Sequence, residues 1–221
     1  MDDPLQILYV KTHKTGSTFI ADLIKENFPH TQWHVYPTKV SENLEEFNER
    51  QEKFFDWDTF YNIKLTSVRN PYNRCVSTYR WFSQIDDEHH RESTGIMDWI
   101  DPNENRIRGF KNFLKTSFED LRKRDHYAWE VSLPVFDLCN VDGTINYYDK
   151  IIKCENMKED IEEVFNRFGI TNIDFDGNYD INSSGDYNLL DYYDDENKHL
   201  VYKKYEKDFK FFSYDKNSLV L

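Results

Sequence analysis

The first thirty residues carry two apolar patterns with different periods. The run LQILYV (5–10) is short, mostly apolar and rich in strand formers, which predicts a buried β-strand. Further on, apolar side chains recur at the spacing of one helix face, at Phe19, Ile20, Leu23, Ile24 and Phe28. The polar segment between the two patterns is therefore expected to be a loop that joins the end of a strand to the start of a helix.

The rest of the chain alternates between strand-like and helix-like patterns. Strands are predicted at IKLTSV (63–68) and KIIKCE (150–155). Helices are predicted at 41–55, starting at Ser41, at 74–82, at 158–168, ending at Gly169, and at 195–212 with Leu200, Val201, Tyr205, Phe209 and Phe212 facing inward. Residues 83–125 show no clear order, and residues 170–190 are rich in loop formers. Strands that alternate with helices favour an α/β fold with a parallel sheet, here in a single domain spanning 1–221.

Composition limits the classes of function. With 28 Lys and Arg against 41 Asp and Glu, the chain has a formal net charge of −13, which disfavours binding to nucleic acid. Three cysteines without a CxxC pair indicate neither a disulfide framework nor a zinc site. No apolar run approaches the ~18 residues that span a bilayer. We therefore expect a cytoplasmic protein without membrane association, or one in the Golgi lumen only if an anchor has been removed.

The loop KTHKTGST (11–18) has the composition of an anion site. A helix N-terminus offers backbone N–H groups and about half a positive charge. Gly16 allows the backbone to approach a ligand closely, Lys14 adds a point charge, and Thr15, Ser17 and Thr18 add hydroxyl donors. The usual nucleotide-binding loop is absent because lysine precedes glycine here. The alternative is a solvated turn with a serine at the N-cap.

A second stretch, RNPYNRCVSTY (69–79), repeats the arrangement of strand end followed by helix. Arg69 is expected at the carboxyl edge of its strand, where ligands bind in open α/β sheets. Pro71 would start the helix, and Ser77 would lie two turns into it. A guanidinium and a hydroxyl together suit a terminal phosphate. The alternative is that Arg69 and Arg74 are surface partners in salt bridges.

Together the two stretches resemble the sulfotransferases that use 3′-phosphoadenosine 5′-phosphosulfate (PAPS). The loop resembles their 5′-phosphosulfate loop, in a variant similar to that of the galactose 3-O-sulfotransferases, although His13 stands where the family commonly has proline. The second stretch resembles their 3′-phosphate motif. Segments 150–170 and 202–214 are similar to segments near the C-terminus of family members, and the similarity of segment 132–139 is weaker. The chain looks most like the carbohydrate (Golgi-type) members of the family.

The resemblance implies a P-loop-like fold of three layers and a PAPS-dependent transfer to a carbohydrate hydroxyl, less readily to an amine, without a metal. The residues implied in donor binding are Lys11, Thr12, His13, Lys14, Thr15, Gly16, Ser17, Thr18, Phe19, Arg69 and Ser77. Lys14 would also be catalytic, because it can stabilise charge on the leaving oxygen.

The acceptor hydroxyl needs a general base, and His34 in WHVYPTK is the first candidate. His126 is the second, His13 can instead orient the loop, and His89 and His90 lie in an acidic stretch. Two other functions stay open at this point. One is a nucleotide-dependent phosphotransferase, which the order of lysine and glycine disfavours, and the other is a PAPS-binding module without activity.

Overall fold

The computed structural model of the chain describes residues 5–28, 32–36, 61–83, 106–140, 143–177 and 187–219. The strands are β1 (Gln6–Val10), β2 (Gln32–Tyr36), β3 (Ile63–Val68) and β4 (Lys150–Lys153). The α-helices are α1 (Ser17–Asn27), α2 (Pro71–Ser83), α3 (Arg106–Lys115), α4 (Phe118–Arg124), α5 (His126–Ser132), α6 (Val135–Cys139), α7 (Met157–Arg167), α8 (Asp195–Lys204) and α9 (Glu206–Phe211). The helix predicted at 41–55 lies outside the described residues.

These elements form two units, one made of residues 1–69 and 135–182 and the other of 70–134 and 183–221. The first contains all four described strands, in a parallel sheet of order β2-β1-β3-β4. The three strands predicted from the sequence are confirmed, and β2 is an additional one. β4 ends at Lys153, two residues before the predicted end, because Cys154–Asn156 form a 3₁₀ turn. The prediction that residues 1–221 form one domain stays a prediction.

Helices α1 and α7 pack on one face of this sheet. The shared core contains alternate residues of the strands and the apolar stripes of both helices: Ile7, Tyr9, Ile63, Leu65, Ile152, Ile20, Leu23, Ile24, Ile161, Val164 and Phe165. Alternation on the strands and helical spacing on the helices are what bring these side chains to a common face. Gly169 ends α7 with a positive φ of 76°, as predicted for a C-terminal cap. The predicted α/β fold, with a parallel sheet flanked by helices, is confirmed.

The second unit is helical and rich in packed aromatic rings. Rings of Tyr72, Tyr79, Phe110, Tyr192, Tyr193 and Phe209 meet edge to face. The single helix predicted at 195–212 is instead two helices, α8 and α9, separated at Tyr205. Asp194 is the N-cap of α8, and its side chain accepts a hydrogen bond from the Asn197 N–H, which stabilises the start of this helix. In the described part of the chain, no helix is both long and apolar enough to cross a membrane.

Candidate active site

The order of the strands places the candidate site at the carboxyl ends of β1 and β3. The chain moves from β1 to β2 on one side and later adds β3 and β4 on the other, so its direction reverses between β1 and β3. In open α/β sheets, ligands bind in the crevice outside such a reversal. The loop 11–16 follows β1, and Arg69 follows β3 directly. The sheet therefore brings the two predicted anion-binding stretches to adjacent strand ends.

The loop after β1 is largely buried and is not a solvated turn. Thr12, Thr15 and Ser17 are buried, whereas Lys11, His13 and Lys14 are half-buried. The N-cap of α1 is Gly16, which supplies no side chain, and the first turn of α1 contains no acidic residue. The positive end of this helix is thus not neutralised by its own first turn, which favours an anion there. The alternative of a solvated turn capped by a serine is wrong for this loop.

Gly16 is required by its backbone conformation and lies close to two residues that follow β4. Its φ of 75° lies in the left-handed region, which side chains other than glycine rarely adopt. A Cβ atom at this position would lie 2.3 Å from Cε of Met157 and 3.4 Å from Sγ of Cys154. Both neighbours follow β4, so the loop is packed against the segment after β4, at the same edge of the sheet. Sequence reasoning did not identify these two residues, because 138 residues or more separate them from Gly16.

Lys14 and Arg69 lie close together at this edge. Burial, and then the charge of Arg69, lower the pKa of Lys14 to about 8. The same guanidinium acts on Cys154, although burial has the larger effect and raises the pKa of that thiol. Lys14 also has a positive φ of 61°, which is uncommon for a residue with a side chain. Two cations held side by side next to a helix N-terminus repel each other, and an anion between them would remove that repulsion.

The remaining predicted loop residues have different surroundings. Inside the protein, the hydroxyl of Thr12 donates to the carbonyl of Ser67 in β3, and the hydroxyl of Thr15 donates to the carbonyl of Thr12 and lies 2.8 Å from the Ser67 hydroxyl. Thr18 is half-buried on α1, and Phe19 packs against the core of the sheet. The prediction that these residues bind the donor stays a prediction, and for Thr12 and Thr15 the hydroxyls already have partners within the chain.

Ser77 lies on α2 and is buried, in the second unit. As predicted, α2 starts at Pro71, and Oδ1 of Asn70 accepts the N–H of Tyr72 at 2.9 Å. The pairing of Ser77 with Arg69 stays a prediction. Arg74 is buried, donates to the carbonyl of Val131 at 2.9 Å and lies 3.9 Å from the carboxylate of Asp208. It is therefore a packing residue of the second unit, and the alternative of a surface salt bridge is wrong for Arg74.

The candidate bases lie in different elements. His34 is the central residue of β2 and pairs in register with Leu8, two residues before the end of β1. His126 is the exposed first residue of α5, with its ring 6.2 Å from that of Trp129. His89 and His90 lie outside the described residues. Among the described residues, no group of three or more His, Cys, Asp or Glu side chains is arranged to hold a metal ion.

Comparison with known proteins agrees with this geometry. A family model described as the sulfotransferase family matches residues 1–215, which include both anion-binding stretches and all the described strands. No curated protein and no solved structure matches the chain. The chain belongs to the sulfotransferase family, and it is accordingly a PAPS-dependent sulfotransferase.

Proposed function

We propose that this enzyme transfers the sulfuryl group of PAPS to a hydroxyl of a carbohydrate acceptor, without a metal ion. The observation that supports the donor site is the proximity of Lys14 and Arg69 beside the N-terminus of α1. We assign Lys14 to the leaving oxygen, Arg69 and Ser77 to the 3′-phosphate, and His34 to the acceptor hydroxyl.

The donor supplies an activated sulfuryl group between a bridging oxygen and the attacking acceptor. The bond from sulfur to the bridging oxygen breaks, a bond from sulfur to the acceptor oxygen forms, and His34 takes the proton that the acceptor hydroxyl loses. Negative charge then grows on the bridging oxygen, which remains on the adenosine bisphosphate. The ammonium of Lys14 is preorganised for that charge, so its effect is larger in the transition state than in the ground state.

The chemistry of the loop fits such a donor. PAPS has anionic groups at two positions of its ribose, the 3′-phosphate and the 5′-phosphosulfate, and the chain offers a cation for each of them in spite of its net charge of −13. Backbone N–H groups at the start of α1 suit the 5′-phosphosulfate, since helix N-termini bind such groups. Arg69 suits the 3′-phosphate because a guanidinium can donate two parallel hydrogen bonds to one phosphate. The carbohydrate acceptor is supported by the resemblance of segments 150–170 and 202–214 to carbohydrate sulfotransferases.

The donor is tested by thermal shifts with PAPS and, separately, with ATP and Mg²⁺. We expect a rise in melting temperature with PAPS. Lys14→Ala should lose only part of that rise, because Arg69 and the start of α1 still hold the donor, and Lys25→Ala should keep all of it. Lys25 is an exposed lysine of α1 and serves as the matched control. Stabilisation by ATP and Mg²⁺ alone would instead support a phosphotransferase.

The acceptor is tested by a screen with labelled PAPS over sugars, phenols and amines. Label on a sugar hydroxyl supports the proposal, and label on phenols or amines alone overturns the choice of a carbohydrate. Transfer should continue in EDTA, because Lys14 and backbone donors stabilise the charge that Mg²⁺ stabilises in a kinase. Activity that is lost in EDTA and restored by Mg²⁺ would contradict metal-independent transfer.

The base is tested by His34→Ala, which should lower turnover by about 10²–10⁴ and leave PAPS binding nearly unchanged. The variant should also lose the acidic limb of the pH–rate profile, where a histidine with a pKa of about 6.5 becomes protonated. His199→Ala, at an exposed position of α8, is the control and should keep both. If His34→Ala keeps its rate and its acidic limb, the base is elsewhere, and His126 is the next residue to replace.

A further inference from the structure

Four buried hydroxyls connect the loop after β1 to the end of β3. Their oxygens lie 2.6 Å apart between Tyr9 and Ser67, 2.8 Å between Ser67 and Thr15, and 2.9 Å between Thr15 and Thr12. All four residues are fully buried. We call this set, Tyr9, Ser67, Thr15 and Thr12, the hydroxyl chain.

The hydroxyl chain has one consistent direction of donation. Two donors are fixed because their acceptors are carbonyl oxygens: Thr12 donates to Ser67 O at 2.5 Å, and Thr15 donates to Thr12 O at 2.9 Å. Each hydroxyl has a single hydrogen, so the close contact between Ser67 and Thr15 requires Ser67 to donate. Tyr9 must then donate to Ser67. Every hydroxyl in the chain thus has an acceptor, and the hydroxyl oxygens of Thr12 and Thr15 lie close together without a hydrogen between them. Ser67 is bonded to all three other members through its side chain and its carbonyl.

The bonds close the turn that carries Lys14. Thr12 and Thr15 are joined by a hydrogen bond across the turn, and both are anchored to Ser67. Lys14 lies between them with its φ of 61°. A lysine gains nothing from the left-handed conformation itself, so the surrounding contacts must hold it there. Ser67 is also two residues before Arg69 in the sequence. It is therefore hydrogen-bonded to the turn that carries one cation of the site and lies close along the chain to the other.

We propose that the hydroxyl chain is a positioning device, with Ser67 at its centre, that fixes the backbone of Lys14 and so aims its ammonium at the leaving oxygen. This inference rests on the proposed role of Lys14. Its residues do not need to touch the donor; they act through the turn. The consequence is that loss of the Ser67 hydroxyl should impair turnover more than donor binding, because Arg69 and the start of α1 remain.

The first test compares Ser67→Ala with Thr66→Val. Thr66 is the neighbouring buried residue of β3, and its hydroxyl donates to the carbonyl of Val10 at 3.0 Å, outside the hydroxyl chain. Both variants should lower the melting temperature, because each loses a buried hydrogen bond. Only Ser67→Ala should lower kcat, by about tenfold, which is less than the ~10²-fold that a 1 Å misplacement can cost. Equal loss of kcat in both variants would overturn the proposal.

A second variant separates positioning from stability. Ser67→Ala leaves the buried Tyr9 hydroxyl without its acceptor, and adding Tyr9→Phe removes that hydroxyl. The double variant should therefore recover part of the melting temperature while kcat stays low, because Thr15 still lacks its donor. Recovery of kcat together with the melting temperature would overturn a positioning role.

The deciding measurement is kcat for Ser67→Ala in the presence and in the absence of Lys14. If Ser67 acts through Lys14, the loss seen in the native background should disappear in Lys14→Ala. A loss by the same factor in both backgrounds overturns the inference and leaves the role of Lys14 intact. If Lys14→Ala itself keeps its rate, the proposed function fails at Lys14 and the inference fails with it.

Discussion

Two lysines of this protein, Lys14 and Lys204, have the same lowered pKa in different surroundings. Burial is the main cause for both, and each has a pKa of about 8. Lys14 lies in the loop after β1, whereas Lys204 is the last residue of α8 in the helical unit. The pKa alone would rank them equally as candidates for a functional site.

The groups around each lysine distinguish the two. The ammonium of Lys204 donates to the carbonyl of Thr116 at 2.7 Å and to that of Leu114 at 3.4 Å, at the C-terminal end of α3. It also lies over the ring of Phe118, 4.9 Å from its centroid. Helix C-termini attract cations, so Lys204 has a structural position as a cap. Lys14 instead has a second cation beside it, Arg69, which lowers its pKa further.

The comparison indicates which kind of surroundings marks a functional cation. A cation that is placed beside carbonyl oxygens has its hydrogen-bond acceptors within the folded chain. A cation beside another cation, near a helix N-terminus, is repelled by both of them, and an anion bound there would relieve that repulsion. The first arrangement describes Lys204, and the second describes Lys14.

The largest expected effect is on turnover. Lys14→Ala should lower kcat by about 10²–10³, the range for loss of one preorganised donor to the transition state. Lys204→Met, which keeps an extended side chain against Phe118, should keep kcat within about threefold, because Lys204 has a structural role. Steady-state kinetics with saturating donor and acceptor measures both.

A large fall in kcat for Lys204→Met, in protein that remains folded by circular dichroism, would contradict the structural role of Lys204. Lys14→Arg tests whether the position of the charge matters, because a planar guanidinium does not reproduce a compact ammonium and should restore the rate only in part. Full restoration by arginine would mean that charge alone, without its position, accounts for the effect.

A smaller effect is expected for the cation beside Lys14. Arg69→Ala should weaken binding of adenosine 3′,5′-bisphosphate by about 1.5–3 kcal/mol, the scale of a charge-assisted hydrogen bond. Adenosine 5′-phosphosulfate, which has no 3′-phosphate, should lose much less. Isothermal titration calorimetry measures both ligands, and Arg167→Ala, at an exposed position of α7, is the matched control. Equal losses for the two ligands would remove Arg69 from the 3′-phosphate site.

Much of the sheet and half of the site could be predicted from local patterns. Strands β1 and β3 and helix α1 have clear apolar periods, and Arg69 and the loop with Lys14 follow strand ends. Since parallel strands have their carboxyl ends at one edge, the pattern predicts both stretches at that edge. Their meeting then depends only on β1 and β3 being neighbours, as they are.

Other elements were missed because their local pattern is ambiguous. The break at Tyr205 has no glycine or proline to mark it, and the apolar residues Val201, Tyr205 and Phe209 continue the helical period across it. The strand β2 is only five residues long and mixes polar and aromatic residues. Helix α3 lies in a charged region, although Phe110, Phe113 and Leu114 are buried at helical spacing.

The supporting parts of the site depend on contacts between distant residues. The hydroxyl of Ser67 reaches Thr15 across 52 residues, and Met157 meets Gly16 only after β4 joins the sheet. A serine or a methionine gives no local signal of such a contact. Only the register of the strands brings these residues to the loop.

The smallest expected effect is a dependence of donor binding on pH, and it separates the two lysines by their protons. With a pKa of about 8, Lys14 is about half protonated at pH 8 in the free enzyme. A bound anion favours the charged form and raises that pKa, so the affinity for adenosine 3′,5′-bisphosphate should fall as the pH rises through 8. Binding at pH 8 should take up about half a proton, because the phosphates of the ligand, with a second pKa of about 6, are already ionised.

Calorimetry in buffers of different ionisation enthalpy measures this uptake. It should vanish in Lys14→Ala and Lys14→Arg and remain in Lys204→Met, since the carbonyl partners of Lys204 are present whether or not the ligand is bound. Proton uptake that persists in Lys14→Ala would show that Lys14 is not the titrating group. Uptake that disappears in Lys204→Met would assign the titration to Lys204 instead.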